Sequence, residues 1–352
     1  MIRYIRKKSI KNTLLEIIVV ILLTYPLFYF TYKSAVPSTL GQNDYNSYYQ
    51  LYDSWDYESL NLPFNTRLIS TYLTHLLIKL NIHYDTEINY SNSVQDKIVF
   101  FNVLLFNYLA LIATFFLIYK LILYNTGKKF FSFSFSFILF FSYGTLFFTI
   151  SPLTDALGLF LVALCFYYYI KKSYLIIIPL LLSIIQREYV LLIFMLIPLI
   201  KTMYEKSFKS NKYHLTIIII STVYFCIYIL LRKTMFYTDS WSQQLSISSY
   251  FSDFCMSISN TLYLIKPTLF YQNLITIYSF LVLIKYIKQK PVNKLYLITV
   301  ILLFFQALFI GILLKLGNNY TRLLNFVSPI VIYYSAEEYF FAFVDKTNCK
   351  IN

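Results

Sequence analysis

The sequence predicts an all-α polytopic membrane protein, with its 352 residues in a single membrane domain (1–352). Apolar residues make up 58% of the chain, charged residues make up only 13%, and the mean hydropathy is +0.61. A soluble protein needs about 25% charged residues to cover its surface, so most of this surface is expected to face lipid. The apolar residues are also grouped into runs of the length, roughly 20 residues, that a helix needs to cross a bilayer.

Eight runs predict membrane-spanning helices directly: residues 13–33, 98–123, 131–150, 154–170, 214–231, 261–284, 295–315 and 323–343. The first run follows a basic N-terminus, as in a signal peptide. It is too long for one and no small-residue cleavage site follows it, so we expect it to remain as the first span. A ninth run, 174–200, carries Gln186, Arg187 and Glu188 in its middle. It is either one long helix with a buried ion pair or two short helices that turn at Arg187.

The distribution of Lys and Arg decides between these alternatives, because cytoplasmic loops are enriched in both residues. If the N-terminus is cytoplasmic and 174–200 is a hairpin, the basic segments all fall on the cytoplasmic side: 128–129, 171–172, 201–212, 285–294 and the C-terminal tail. A single span would move the last two basic loops, 201–212 and 285–294, outside. The sequence therefore predicts roughly ten passes through the plasma (inner) membrane, two of them short, with both termini in the cytoplasm.

Residues 66–80 predict an amphipathic helix. Its apolar stripe consists of Leu68, Ile69, Tyr72, Leu73, Leu76, Leu77 and Leu80. The opposite face carries Arg67, Ser70, Thr71, Thr74, His75 and Lys79. Such a helix suits the membrane interface, and counting it as a span would reverse the side of every later loop. We therefore expect it within an extracytoplasmic loop that covers residues 34–97.

Composition excludes several classes of function. The net charge of +14 does not indicate a nucleic-acid partner, because Lys and Arg lie in short clusters between apolar runs. The four cysteines are scattered, and the three histidines lack the spacing of a zinc site, so no metal ligands are predicted.

With this topology, the unusual polar residues are predicted on the extracytoplasmic side. They are Asp44, Asp155, Arg187, Glu188, Arg232, Lys233 and Arg322. An ionisable group near the membrane is costly unless it is paired or hydrated, so together they predict one polar cavity, with carboxylates for base chemistry and cations for an anionic ligand. Structural alternatives stand beside this hypothesis. Asp44 could be a solvated loop residue, Asp155 could stabilise a helix start, and Arg187–Glu188 could cap a turn, while Arg232 and Lys233 could contact headgroups.

Five segments follow one another along the chain: GQNDYNSYYQLYDSW (41–55), NLPFNTRLISTYLTHLL (61–77), SPLTDALGLFLVAL (151–164), LLSIIQREYVLLIF (181–194) and NNYTRLLNFVSPIVI (318–332). In these segments and in their order the chain resembles the GT-C class of membrane glycosyltransferases. The resemblance implies transfer of a sugar from a polyprenyl-phosphate donor to an envelope glycan or lipid acceptor at the outer face, with Asp44 as the catalytic base. The second segment, with Arg67, looks like the family's Phe/Arg element at the start of an interfacial helix, and the resemblance places Arg67 and Glu188 among the residues that bind substrate.

The chemistry of that transfer assigns roles to the other residues. Arg322 or Arg187 would bind the departing phosphate, with Arg232 and Lys233 next in order, because an arginine can hold two phosphate oxygens. Asp155 would bind the acceptor or hold Arg187, and residues 66–80 would border the access path of the lipid donor. Asn43 stands where many members of the class have a second acidic residue. The sequence therefore predicts no definite cofactor, with a divalent metal as the alternative.

Three other activities compete with this one, and a purely structural membrane subunit is a further alternative. A flippase or transporter for lipid-linked saccharides should show internal repeats and polar residues at the midplane, and neither is visible. A polysaccharide polymerase also uses arginines in outer loops. A membrane acyltransferase would carry a histidine within a span, where the sequence analysis expects none.

Overall fold

The computed structural model describes residues 2–34, 48–49, 51–55, 67–84, 86–89, 91, 93–142, 154–205, 211–235, 273–313 and 320–344. Within these ranges the chain is helical and contains no strand, which confirms the all-α class. The helices are α1 (Ile2–Ser34), α2 (Leu68–Ile78), α3 (Val94–Thr126), α4 (Lys129–Phe141), α5 (Asp155–Ile170), α6 (Ile177–Ile184), α7 (Tyr189–Glu205), α8 (Lys212–Met235), α9 (Asn273–Ile287), α10 (Lys294–Leu313), α11 (Tyr320–Asn325) and α12 (Ser328–Tyr339).

Helix α3 is the centre of the bundle, and its ends are set by the local sequence. The hydroxyl of Ser93 accepts a hydrogen bond from the backbone N–H of Asp96, which caps the first turn. Gly127 ends the helix in a left-handed conformation (φ 65°) that costs glycine little. Between these caps α3 packs against α1, α2, α4, α5 and α12. In its most apolar stretch of 18 residues, 78% is buried inside the bundle.

Residues 174–200 form two helices rather than one. A 3-10 turn (Tyr174–Ile176) leads into α6, the chain turns at Ile185–Glu188, and α7 follows. Gln186 contacts Thr154 at the start of α5, while Tyr213 at the start of α8 contacts Tyr168 near the end of α5. Helices α5, α6, α7 and α8 therefore run alternately up and down the bundle.

The bundle consequently has two distinct ends. We call the end that holds Arg67, Thr154 and the turn at Ile185–Glu188 the turn end. The opposite end, which we call the lysine end, holds the described residues of the basic segments 128–129, 171–172, 201–212 and 285–294. Contacts of Lys171 with Tyr124, Tyr213 with Ser173, Asn125 with Glu337 and Lys285 with Glu338 place these segments there. Every one of these segments is one that the sequence analysis assigns to the cytoplasm.

Within the part of the chain that the structure describes, three helices are long and apolar enough to cross a membrane: Thr13–Ser34, Val94–Thr126 and Lys212–Leu231. In Thr13–Ser34 only 17% of the most apolar stretch is buried, and in Lys212–Leu231 only 22%. Both helices therefore present large apolar side chains outward. Soluble monomers rarely expose such continuous apolar surface, which fits contact with lipid. The other apolar helices have 10–17 residues whose side chains are described, and the count of about ten passes stays a prediction.

The last two predicted spans differ in how they are built. Residues 294–313 form one helix, α10. The predicted span 323–343 is instead divided by a turn at Phe326–Val327, after which α12 begins with Ser328 and Pro329 and ends in a π-helical turn, Phe340–Val344. Proline fits the first turn of a helix because the N–H that it lacks has no partner there in any case.

Candidate functional site

Four of the predicted site residues lie together at the turn end: Arg67, Asp155, Arg187 and Glu188. Asp44 lies outside the described residues. The backbones of Arg232, Lys233 and Arg322 belong to α8 and α11, but their side chains are also outside the described part. The structure thus brings together the predicted residues from 66–80, the start of α5 and the hairpin turn.

The four charged side chains form two ion pairs. Arg67 Nη1 lies 2.5 Å from Glu188 Oε2, and these side chains are 4% and 24% exposed. Arg187 pairs through Nη2 with Asp155 Oδ1, and these side chains are 12% and 1% exposed. Each charged residue of the hairpin turn thus pairs with a partner from another element, Arg187 with Asp155 and Glu188 with Arg67. Asp155 is the first residue of α5 and lies against Arg187, in line with two of the roles expected for it, at a helix start and as the partner of Arg187.

Gln186 joins the three elements that carry these charges. Its fully buried amide donates to Ser70 Oγ (2.9 Å) and to the backbone oxygen of Thr154 (3.0 Å). Its carbonyl accepts from the Ser70 backbone N–H at 3.0 Å. The N–H of Leu68 donates to the oxygen of Ile185 at 3.2 Å. Backbone donors in the first turn of α2 lack partners within the helix, and the hairpin turn provides them.

Helix α2 turns its polar face inward. Ser70, Thr71 and Thr74 are buried, whereas Tyr72, Leu73 and Leu76 are each at least 40% exposed. This orientation is the reverse of that of a surface helix in a soluble protein, where the apolar face is buried. An outward apolar stripe is what a helix at the lipid interface presents.

Aromatic side chains surround the ion pairs. Tyr48 and Tyr52 are buried, and the Thr154 hydroxyl donates to the Tyr48 hydroxyl at 3.3 Å. Arg187 Nη2 donates to the same Thr154 hydroxyl at 2.9 Å. The ring of Phe326 lies 5.9 Å from Arg187 Cζ. These contacts exclude water from the arginines and strengthen their electrostatic interactions.

Glu188 stays ionised in this setting. Burial by itself would raise the pKa of the carboxyl, but the charge of Arg67 and its hydrogen bonds outweigh burial and lower the pKa to about 2. Arg67 and Arg187 are balanced by Asp155 and Glu188, so these four residues carry no net charge among themselves.

We expect Glu188→Gln to lower the stability of the solubilised protein at pH 7 by about 1–3 kcal/mol, because Arg67 then lies buried without its counter-charge. The folded pKa is lower than the unfolded value of about 4.3, so ionised Glu188 stabilises the fold above that value. The contribution is lost as the pH falls through about 2. Thermal unfolding from pH 7 to pH 3 should therefore show the two proteins converging in Tm. Glu205→Gln, which removes an exposed carboxylate, is the control. A gap that widens on acidification would contradict the pairing.

A second polar cluster lies at the lysine end, and the sequence analysis missed it. Glu338 on α12 pairs with Lys285 on α9 and accepts from the Asn293 backbone N–H at 2.7 Å. The neighbouring Glu337 accepts hydrogen bonds from three residues, Asn125, Tyr296 and Tyr333. Both glutamates are 4% exposed. The available signal was that two adjacent acidic residues fall inside a predicted span, 323–343.

The expectation that no histidine lies within a span is also wrong. His214 is 2% exposed and lies in the candidate span Lys212–Leu231, in the first turn of α8. It belongs to the lysine end, because the adjacent Tyr213 contacts Tyr168 and Ser173. The histidine is therefore remote from the two ion pairs. Among the described residues, no group of three or more His, Cys, Asp or Glu side chains could hold a metal ion.

No protein-family model matches the chain, and comparisons with curated proteins and with solved structures likewise give no match.

Proposed function

We propose that this protein is an inverting membrane glycosyltransferase, which moves a sugar from a polyprenyl-phosphate donor to an envelope glycan or lipid acceptor at the extracytoplasmic face. The observation that carries the proposal is the cluster of paired charges at the turn end, joined to the polar face of α2. The lysine-rich loops lie at the other end, and loops of that kind are retained in the cytoplasm. The cluster then belongs on the extracytoplasmic side.

The orientation of α2 favours a substrate that carries a lipid chain. The outward stripe of Tyr72, Leu73 and Leu76 lies on the same short helix as the inward Ser70 and Thr74. A polyprenyl chain could follow the apolar stripe while its phosphate and sugar reach the polar face. Helix α2 then borders the access path of the donor.

The proposed chemistry needs one base and one cation. Asp44 takes the proton of the acceptor hydroxyl while the hydroxyl oxygen attacks the anomeric carbon, which inverts the configuration. The bond between that carbon and the phosphate oxygen breaks, and polyprenyl phosphate leaves with the electron pair. The phosphate is a good leaving group, so a fixed cation helps it more than a proton donor does.

The charge balance of the described residues ranks the arginines for this role. Arg67 and Arg187 are each matched by a carboxylate, so they supply no excess positive charge to an incoming phosphate. Arg322, four residues before Phe326 in the chain, is our first choice for binding the phosphate. Arg187, which is held by Asp155, orients the phosphate. Arg232 and Lys233 are the next candidates for binding it.

Transfer by the purified protein in liposomes tests the proposal. We expect a sugar to move from a polyprenyl-monophosphate sugar to an added glycan or lipid acceptor, detected by mass spectrometry of the product. Polyprenyl-diphosphate oligosaccharides, the donors of a polymerase, should not serve, and the lipid-linked sugar should not cross a protein-containing bilayer faster than an empty one. Transbilayer movement without transfer would instead identify a flippase.

A further inference from the structure

Gly158 on α5 lies where α5, the hairpin turn and the segment between α11 and α12 meet. A Cβ atom added at this position would lie 2.6 Å from Cε1 of Phe326 and 2.7 Å from Cγ of Arg187. Both distances are far below ordinary van der Waals contact, which for carbon atoms begins at about 3.5 Å. The two side chains can therefore occupy their positions only because residue 158 has no side chain.

Arg187 is held along its whole length. Its Cβ and Cγ atoms lie against Gly158, and its guanidinium pairs with Asp155 and donates to Thr154. The Phe326 ring lies within the range of a cation–π contact, at 5.9 Å. Phe326 is 2% exposed, and its ring packs against that of Tyr189 at the start of α7. The Phe326 ring therefore cannot move away easily.

The same contact reaches the segment that carries Arg322. Phe326 follows Arg322 by four residues, which is about one turn of helix, or roughly 6 Å along its axis. Any displacement of Phe326 would therefore shift the end of α11 relative to the hairpin turn.

We infer that Gly158 and Phe326 are positioning residues, which fix the Arg187 guanidinium and the Arg322 segment relative to one lipid-linked phosphate. This inference rests on the proposed function and deepens it, because it names the residues that set the geometry of phosphate binding. Neither residue offers a polar group to the ligand, and both act through Arg187. A misplacement of about 1 Å at such a site can cost on the order of 100-fold in rate.

Gly158→Ala tests the inference in the full-length protein in detergent or liposomes. We expect binding of polyprenyl monophosphate, measured by isothermal titration calorimetry, to weaken about tenfold or more, and kcat for sugar transfer to fall at least as much. The KM for the acceptor should stay unchanged. Val162→Ile, which adds one carbon to another buried position on α5, controls for overpacking and should leave phosphate binding intact.

Phe326→Leu gives a second, independent reading, because it removes the aromatic face but keeps an apolar side chain in the core. We expect it to weaken phosphate binding in the same direction as Gly158→Ala. Loss of phosphate binding in Val162→Ile equal to that in Gly158→Ala would overturn the inference, and so would binding at the wild-type level in both Gly158→Ala and Phe326→Leu. Wild-type protein that binds polyprenyl monophosphate but transfers no sugar would refute the proposed function and leave the positioning inference to be judged by binding.

Discussion

Asp44→Asn is expected to abolish sugar transfer, with kcat lower by about 10²–10⁴-fold, while the protein still inserts and folds. An amide cannot take the proton of the acceptor hydroxyl, and general-base catalysis contributes a factor of that size. Asparagine has nearly the same shape as aspartate, so little else changes. The rate is measured by the appearance of glycosylated acceptor in liposomes that contain equal amounts of each protein.

Asp53→Asn is the matched control for this experiment. Asp53 lies nine residues after Asp44, is exposed, and accepts a hydrogen bond from Gln95. The Asp53→Asn protein should retain the turnover of the wild type. Full activity of Asp44→Asn would remove Asp44 from the mechanism, and an equal loss in both variants would indicate a general effect of the segment rather than base catalysis.

Lys285→Met is expected to give the largest loss of stability, about 3–5 kcal/mol, because it leaves the carboxylate of Glu338 buried without its cation. The two side chains are 4% and 3% exposed, so water can replace little of the lost interaction. The backbone N–H of Asn293 still donates to Glu338, but one hydrogen bond does not neutralise the charge. Thermal unfolding in detergent, followed by circular dichroism, measures the change.

Two further variants separate the pair from its position. Lys285→Met combined with Glu338→Met removes both charges, and it should recover most of the stability because no uncompensated charge is left. Lys294→Met, which replaces an exposed lysine at the start of α10, should change the Tm little. A double variant as unstable as the single one would show that packing around Lys285, rather than its charge, stabilises this end of the bundle.

The charged residues at the turn end could be located from the sequence because membrane burial restricts where charges can lie. Arg187 and Glu188 interrupt an apolar run, and the loop charges predict a turn at that point, where the structure has the chain turning at Ile185–Glu188. Residues 66–80 predict an amphipathic helix, and α2 covers most of that range. Both patterns are local, so they can be read without knowing the partners.

The pairing of the charges could not be predicted in the same way. Arg67 and Glu188 are 121 residues apart in the sequence. Nothing in the local sequence indicates that Glu188 pairs with Arg67 rather than with its neighbour Arg187. The cluster of Glu337 and Glu338 depends on partners from α3, α9 and α10 that meet only in the folded bundle. Hydropathy averages over a window, so two acidic residues within an apolar run do not change the assignment of the run.

The sequence by itself determined that the chain is helical and largely apolar, and that its basic loops alternate with apolar runs, because composition and period are properties of each segment alone. Only the tertiary structure decided that Gln186 joins α2 to α5, that Arg187 is held by Asp155, and that Gly158 lets Phe326 approach them. These contacts depend on how closely segments that are far apart in the sequence approach one another, to within a few tenths of an ångström. Helix packing sets such distances, and no single segment encodes them.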